Sequence, residues 1–388
     1  MPKRIPKRAS GHLLVPKTFS LTEAPKESFN FINSLFCILY NDAADALLID
    51  YAECEKIDLD AQVLMDVLLK DFIEHLHRCR SYGQIPRIKF IEPTNFKDKD
   101  HVEKILYSIG SFRVLKKVHI NYPNIITYNL CIGRKKIEDD NERFGQKDIH
   151  TTQLIDYVLK SLEAMGRKLT PEAISDLCQV VGEVLINAEE HATTENRYSI
   201  GFFEEKTEEA NHYGVFNLVI FNFGQTIYEK FKDPACPTQH IVARMKDLSS
   251  QYTEKGFFQP AEFEEETLWT LYSLQEGVTS KVNYKKRGNG SIRFIESFFN
   301  LKGTGLFKDD ESKLLIMSGN ARVLFDGSYE VLIRQKGPDT FKVVAFNNSG
   351  SFDEKPNKKF VYFAENYFPG TMIVAKILIR EEDLISQS

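Results

Sequence analysis

Hydrophobic positions along the chain follow two spacings, one typical of strands and one of helices. Short apolar runs at Ala46–Tyr51 and Arg87–Ile91 predict buried strands, whereas Asp60–His77 has apolar residues three and four apart and predicts a helix. A helix over His101–Gly110 and a strand over Ile125–Ile132 follow in the same region. Strands that alternate with helices indicate a small α/β domain.

The second half of the chain predicts a different order of elements. Two helices, Thr151–Met165 and Pro171–His191, come before strands at Tyr198–Phe203 and Val215–Phe221, and a largely helical stretch over Thr226–Glu276 follows. The remaining predicted elements are a helix over Ser291–Phe299 and strands near Leu314–Met317, Arg322–Phe325, Tyr329–Arg334, Phe341–Phe346 and after Gly370.

These patterns divide the chain into four parts. Residues 1–25 are a basic, proline-containing tail, and residues 26–134 are the α/β domain. Residues 135–150 are charged, contain a glycine and predict a linker, and residues 151–388 form a second domain. The predicted fold class is therefore α+β with two domains.

Composition and charge narrow the classes of function. The 388 residues are 42% hydrophobic and 27% charged, which suits a globular protein with a sizeable core. The net charge of -5 does not favour nucleic acid or a membrane surface as partner. Six singly placed cysteines without a CxxC pair fit a reducing compartment and argue against a zinc ribbon. With no long apolar run, we expect a cytoplasmic protein.

One predicted helix carries a polar stripe. Gln179, Glu183, Asn187 and His191 are four residues apart in Pro171–His191, so they lie on one face. The stripe could be an ordinary exposed face. Alternatively, a carboxylate and an amide oxygen one turn apart can orient a water and hold Mg²⁺, which usually binds beside substrate phosphates. The apolar face beside the stripe comprises Leu177, Val181, Val184, Leu185 and Ala188.

Two downstream segments have the chemistry of a nucleotide site. The strand GVFNLVIFN ends in Asn222 and is followed by Gly224, where a polar side chain can read a base edge and glycine allows a close approach. Gly288 and Gly290 open a predicted helix, whose first N–H groups can bind phosphate. Three cationic side chains suited to phosphate oxygens precede them: Lys285, Lys286 and Arg287.

From about Thr151 onwards, the three segments in this order resemble the GHKL superfamily of ATP-binding domains, which includes gyrase-type topoisomerases and sensor histidine kinases. The sequence EVLINAEEH is most similar to the anti-sigma-factor and sensor kinases. The resemblance implies a sandwich with helices on one face of a mixed, mostly antiparallel sheet. It also implies that Asn187 holds Mg²⁺, that Glu183 is the base or orients a water, and that His191 lies in the nucleotide site.

The same resemblance implies roles for the downstream residues. Asn222 stands where the family has an Asp that accepts from the adenine amino group, and Gln225–Thr226 replaces the second glycine of that motif. Gly277–Arg287 would be the lid over ATP, and the strand FPGTMIVAKILI resembles the family's Gly-Thr strand. The nucleotide-binding residues implied on these segments are Gly224, Lys286, Arg287, Gly288, Gly290, Ser291 and Thr371.

The first domain resembles, more loosely, a STAS domain, the fold of anti-sigma-factor antagonists. The match is ALLIDYAECEKIDLDAQVLMDVLL, which is similar to the strand, loop and helix around that family's phosphorylated serine. Here the loop reads Ile57–Ala61 and has no serine. A generic α/β domain is the alternative.

Together, these resemblances imply a regulatory protein that binds Mg-ATP and acts on a protein partner. A homodimer is compatible with the same resemblances. Three mechanisms remain open: an ATPase switch with slow hydrolysis to ADP and phosphate, an anti-sigma-type kinase that phosphorylates a partner, and a non-hydrolysing ATP sensor or scaffold. The presence of Glu183 and a long lid favours the ATPase, whereas the altered motif at Asn222 favours the sensor.

Overall fold

A computed structural model of the chain describes residues 11–40, 46–83, 90–97, 99–115, 118–134, 140–191, 196–208, 211–253, 261–280, 290–302, 311–336 and 339–380. Helices and strands are mixed, and the chain divides into two compact units, Met1–Thr127 and Tyr128–Ser388. None of the described helices is long and apolar enough to cross a membrane.

The first unit is built on a three-stranded parallel sheet in the order β1-β3-β5. Four of the five residues of β3 are buried, as expected for a strand in a parallel sheet that is covered on both faces. The elements of this unit are β1 (Gly11–Leu14), β2 (Thr18–Phe19), α1 (Pro25–Tyr40), β3 (Ala46–Asp50), β4 (Lys56–Ile57), α2 (Leu59–Ser81), β5 (Phe90–Thr94), α3 (Asp100–Ser108) and α4 (Ser111–Val114).

The second unit is built on a five-stranded sheet in the order β6-β7-β8-β12-β9. The pairs β7–β8, β8–β12 and β12–β9 are antiparallel. Its elements are β6 (Ile125–Arg134), α5 (Asp140–Ala164), α6 (Pro171–His191), β7 (Asn196–Glu208), β8 (Asn211–Phe223), α7 (Ile227–Lys232), α8 (Gln239–Thr253), α9 (Glu265–Ser273), α10 (Gly290–Lys302), β9 (Lys313–Phe325), β10 (Leu332–Lys336), β11 (Asp339–Val343) and β12 (Val361–Arg380).

Helices α5 and α6 cover one face of this sheet. The ring of Tyr157 on α5 stacks on Phe216 of β8 with centroids 4.9 Å apart, and it lies so close to Gly201 that a Cβ there would clash with it. On α6, Glu189 reaches Arg197 at the start of β7. Because alternate residues of a strand share a face, Asn222 lies on the same face of β8 as Phe216.

Two predicted boundaries differ from the structure. The predicted strand Ile125–Ile132 was placed in the first domain, but it is β6 and forms the edge of the second unit's sheet beside β7. Part of the predicted linker at residues 135–150 belongs to α5, which begins at Asp140. The predicted linker is rich in charged residues and poor in apolar ones, and the exposed turns of a helix have the same composition. Composition alone therefore could not separate the linker from the start of α5.

Candidate functional site

The polar stripe on α6 is formed as the spacing predicts. Gln179 Nε2 donates a hydrogen bond to Glu183 Oε1 over 3.2 Å, so these side chains share a face. The stripe becomes less exposed along the helix, because Gln179 is exposed whereas Glu183, whose side chain is 31% exposed, and Asn187 are half-buried. His191 is the last residue of α6, and its side chain lies outside the described residues.

The start of α10 lies directly against this stripe. A Cβ added to Gly290 would be 3.0 Å from Glu183 Oε2 and 3.2 Å from Asn187 Nδ2. The backbone of the first turn of α10, with Ser291 as its second residue, therefore lies beside both polar side chains. One turn further, Arg293 Nη1 is 3.8 Å from Glu183 Oε1. A carboxylate, an amide and the first turn of a helix thus meet at one place.

A second set of polar groups lies at the end of β8. Asn222 is directly opposite Arg197 on β7 and Thr371 on β12, so the three side chains share a sheet face. The Asn222 side chain is buried, with 1% of the residue exposed. Its Nδ2 has no hydrogen-bond partner among the described parts of the chain. Burying an amide N–H without an acceptor costs free energy of folding. A group of this kind is typical of a site where a ligand supplies the acceptor.

Small side chains surround Asn222 on the β12 side. Gly370 has a φ of +148°, and a Cβ there would be 2.1 Å from the Asn222 carbonyl oxygen, so only glycine fits. The hydroxyl of Ser318 donates to the Gly370 carbonyl and lies 3.0 Å from Thr371 Oγ1. Thr371 is therefore the donor to Ser318, and its oxygen keeps lone pairs that can accept another hydrogen bond.

The segment after Asn222 continues directly into a helix. Gly224, with a φ of +143°, donates its N–H to the Pro369 carbonyl. Thr226 caps α7, because its hydroxyl accepts from the Glu229 N–H while Glu229 Oε2 accepts from the Thr226 N–H. Thr226, which stands where the resemblance implies a second glycine, thus begins a helix.

A buried cation lies beside Asn222 in the sheet. The Arg197 side chain is 1% exposed, and its guanidinium is 3.9 Å from Glu189 Oε2 and 3.3 Å from His150 Nδ1. Burial lowers the pKa of Arg197, and burial together with this cation lowers the pKa of His150. Two guanidinium nitrogens, Nε and Nη1, have no hydrogen-bond partner within the described ranges. The sheet face next to Asn222 is therefore rich in hydrogen-bond donors.

The structure thus places the predicted site residues in two groups on neighbouring elements. The first contains Glu183, Asn187, Gly290 and Ser291, and the second contains Asn222, Gly224 and Thr371. The groups are connected because α6 packs against β8 and α10, and α10 packs against β12. Three predicted residues lie outside the described ranges: Lys286, Arg287 and Gly288.

Sequence reasoning missed Arg197, Arg293 and Ser318. Arg197 and Ser318 lie in strands that contain several other polar residues, so no feature of the sequence pattern distinguishes them. Arg293 lies one turn after Gly290 on α10. An arginine on a helix is common, so nothing in the sequence marks this one as part of the site.

Chemically, the arrangement combines features that suit a phosphorylated, planar ligand. The first group supplies a carboxylate, an amide oxygen and a helix N-terminus, and the second supplies buried donors and acceptors beside small residues. In the part of the chain that the structure describes, no three His, Cys, Asp or Glu residues cluster as metal ligands. Mg²⁺ does not require such a cluster, because it keeps waters and binds substrate phosphates. Comparisons with protein-family models, with curated proteins and with solved structures find no match.

Proposed function

We propose that the second unit is a GHKL-type domain that binds Mg-ATP and uses it to regulate a protein partner. The observation that carries the proposal is the approach of Gly290 to Glu183 and Asn187, since it joins two segments that are distant in sequence. A phosphate at the α10 N-terminus would lie beside a carboxylate and an amide, which is the setting that Mg-nucleotide chemistry requires. The buried, unpaired amide of Asn222 supports a base site on the adjoining sheet face.

Each residue has a proposed task. The Asn187 side-chain oxygen would hold Mg²⁺, which supplies charge neutralisation at the phosphates when it is bound. Glu183, kept in place by Gln179 and near Arg293, would orient or deprotonate the attacking water. Phosphate release by the wild type but not by Glu183→Gln identifies an ATPase. Transfer of the γ-phosphate to protein identifies a kinase, and neither result with ATP bound identifies a sensor.

The first unit is proposed to be a STAS-like regulatory module. Its parallel sheet is compatible with that assignment. At the loop where the resemblance places a phosphorylated serine, Asp60 is buried and accepts hydrogen bonds from the Leu21 N–H and the Thr22 hydroxyl. This carboxylate anchors the loop, so any phosphotransfer substrate is proposed to be a different protein.

Thermal unfolding with and without Mg-ATP tests nucleotide binding. At about a hundred times its Kd, a ligand stabilises the folded state by roughly 2.7 kcal/mol, which corresponds to a Tm increase of several degrees. We expect this increase for the wild type and its loss in Asn187→Ala.

The matched control is Asn300→Ala, the same substitution at an exposed position in the last turn of α10, about three turns from Gly290. This variant should keep the increase in Tm. Absence of a shift in the wild type at millimolar Mg-ATP would overturn the proposal, and so would an unchanged shift in Asn187→Ala.

A further inference from the structure

Asn222 raises the question of which base the proposed nucleotide site accepts. The residue is 1% exposed, lies at the end of β8 on the face covered by α6, and has an Nδ2 with no hydrogen-bond partner among the described residues. Its neighbour across the strand pair, Thr371, has a hydroxyl oxygen that can still accept a hydrogen bond. Within the described part of the chain, the sheet end therefore offers a donor without a partner and a hydroxyl oxygen that can accept.

An amide and a carboxylate discriminate between purine bases differently. Where the side chain faces the 6-substituent of the base, an ionised carboxylate, which only accepts hydrogen bonds, pairs with the amino group of adenine and repels the O6 acceptor of guanine. An amide carries a donor and an acceptor side by side. It can pair with the amino group and ring nitrogen of adenine, or with O6 and N1–H of guanine after a turn of the amide plane.

Nothing described around Asn222 fixes its amide in one orientation. A hydrogen bond from Nδ2 to a protein acceptor would lock the side chain for one base, and no such bond is present among the described residues. In contrast, Asn217 on the same strand is locked, because its Nδ2 donates to the Phe202 and Val215 carbonyls. Among the described residues, no hydrogen bond therefore holds the Asn222 amide in the orientation that suits only one base.

We propose that this site takes purine nucleoside triphosphates of both kinds, with Asn222 pairing with guanine as readily as with adenine. The inference rests on the proposed nucleotide-binding function and specifies its ligand class. Mg-GTP is expected to bind within about tenfold of Mg-ATP, since the amide offers each base two hydrogen bonds of similar strength.

Calorimetric titration of the full chain with Mg-ATP and with Mg-GTP tests the inference. In Asn222→Asp, the restored carboxylate should weaken Mg-GTP by tenfold or more relative to Mg-ATP. The new charge is placed at the position that pairs with Arg197 in the strand register, so a buried cation on the neighbouring strand can offset part of the cost of burying it. Circular dichroism and Tm measurements check that the variant is folded.

Two further variants make the result decisive. Asn30→Asp introduces the same charge change on the exposed side of α1 in the first unit and should leave the ratio of affinities unchanged. Asn222→Ala removes both hydrogen bonds and should weaken both nucleotides to a similar extent, which keeps the inference testable if Asn222→Asp does not fold.

The possible failures are distinguishable. If the wild type binds Mg-ATP but not Mg-GTP, the base inference is wrong and the proposed function stands. If both nucleotides bind and the Asn222 variants leave their ratio and affinities unchanged, a different residue reads the base and the inference is again wrong. If neither nucleotide binds, the proposed function fails and the inference fails with it.

Discussion

Two carboxyl groups of the first unit, those of Asp60 and Asp66, are buried on α2. Asp66 is 2% exposed, and its Oδ1 accepts hydrogen bonds from Gln62 Nε2 at 2.7 Å and Ser111 Oγ at 2.8 Å. Burial raises the pKa of Asp66 to about 8, and burial also raises the pKa of Asp60. At neutral pH, the Asp66 carboxyl is therefore largely protonated in the folded protein.

This burial makes stability depend on pH. In the unfolded chain Asp66 loses its proton near 3.8, whereas the folded chain keeps it to about 8. Between these values the unfolded state binds fewer protons, so the free energy of unfolding decreases as the pH rises. Asp66→Asn mimics the protonated group and should stabilise the protein at pH 7 by on the order of 3 kcal/mol.

Tm measured from pH 5 to pH 8 checks this expectation. The decrease with pH should be smaller in Asp66→Asn than in the wild type, and a remaining slope is expected from Asp60. The control is Asp100→Asn, whose side chain is 79% exposed and which should leave the pH profile unchanged. Equal slopes in the wild type and Asp66→Asn would contradict the assignment.

At the scale of single residues, the sequence predicted which polar side chains share a helix face, but it did not predict which residues from distant segments contact them. The four-residue spacing was sufficient to place Glu183 and Asn187 on one face, because helix geometry is local. The approach of Gly290 to both side chains joins distant parts of the chain, and spacing alone could not predict it. The predicted helical stretch begins at Thr226, and the structure has this residue as the cap of α7, but the capping box with Glu229 was not predicted.

At the scale of elements, the long regular helices were the most predictable. The predicted limits of Pro171–His191 are those of α6, because an apolar face with a proline at the start defines a helix well. The strands of the five-stranded sheet were predicted too short. Leu314–Met317 and Arg322–Phe325 are one strand, β9, which continues through Gly319 at a φ of +60°. In the sequence, a glycine between two apolar runs indicates the end of a strand. In the structure, β9 continues through Gly319 because it pairs with β12 on both sides of this residue.

Gly370 gives a test of the sheet at this level. Gly370→Ala should destabilise the protein by about 2 kcal/mol or more, since a Cβ would meet the Asn222 carbonyl at 2.1 Å and the φ of +148° is strained for alanine. Urea unfolding at a fixed pH measures the difference.

A second glycine provides the matched control. Gly182 lies inside α6 with no atom within 4 Å of an added Cβ, so Gly182→Ala should be neutral or stabilise by up to about 1 kcal/mol. If both alanine variants changed stability equally, the close approach at Gly370 would not be what constrains that position.

At the scale of the whole molecule, two units were predicted, but the boundary was not. The division falls between Thr127 and Tyr128, within the strand that sequence analysis assigned to the first domain. Which sheet an edge strand joins depends on side-chain contacts such as that of Tyr128, whose hydroxyl is 2.8 Å from Ser199 Oγ. Hydrophobic alternation within β6 carries no information about this partner.

Two fragments test the boundary. A fragment over 123–388 keeps β6, whereas one over 135–388 follows the predicted boundary and deletes it. The shorter fragment should have a Tm lower by several degrees, because β7 loses its neighbour and Ser199 its hydrogen bond. Fluorescence of Trp269, the single tryptophan, reports unfolding of this unit from its buried position on α9. Equal Tm values would place β6 outside the stable unit.

The position of β12 in the sheet has a consequence for how the protein is made. This strand lies between β8 and β9 and pairs with both, so the two halves of the sheet are not joined without it. On the ribosome, β8 is complete at Phe223, but its partner begins only at Val361. Until that strand emerges, the edge of β8 is unpaired and the Asn222 end of the site is unfinished. The sheet of the second unit therefore closes only after β12 has been synthesised, and until then the exposed edge of β8 is a target for chaperones that shield unpaired strands.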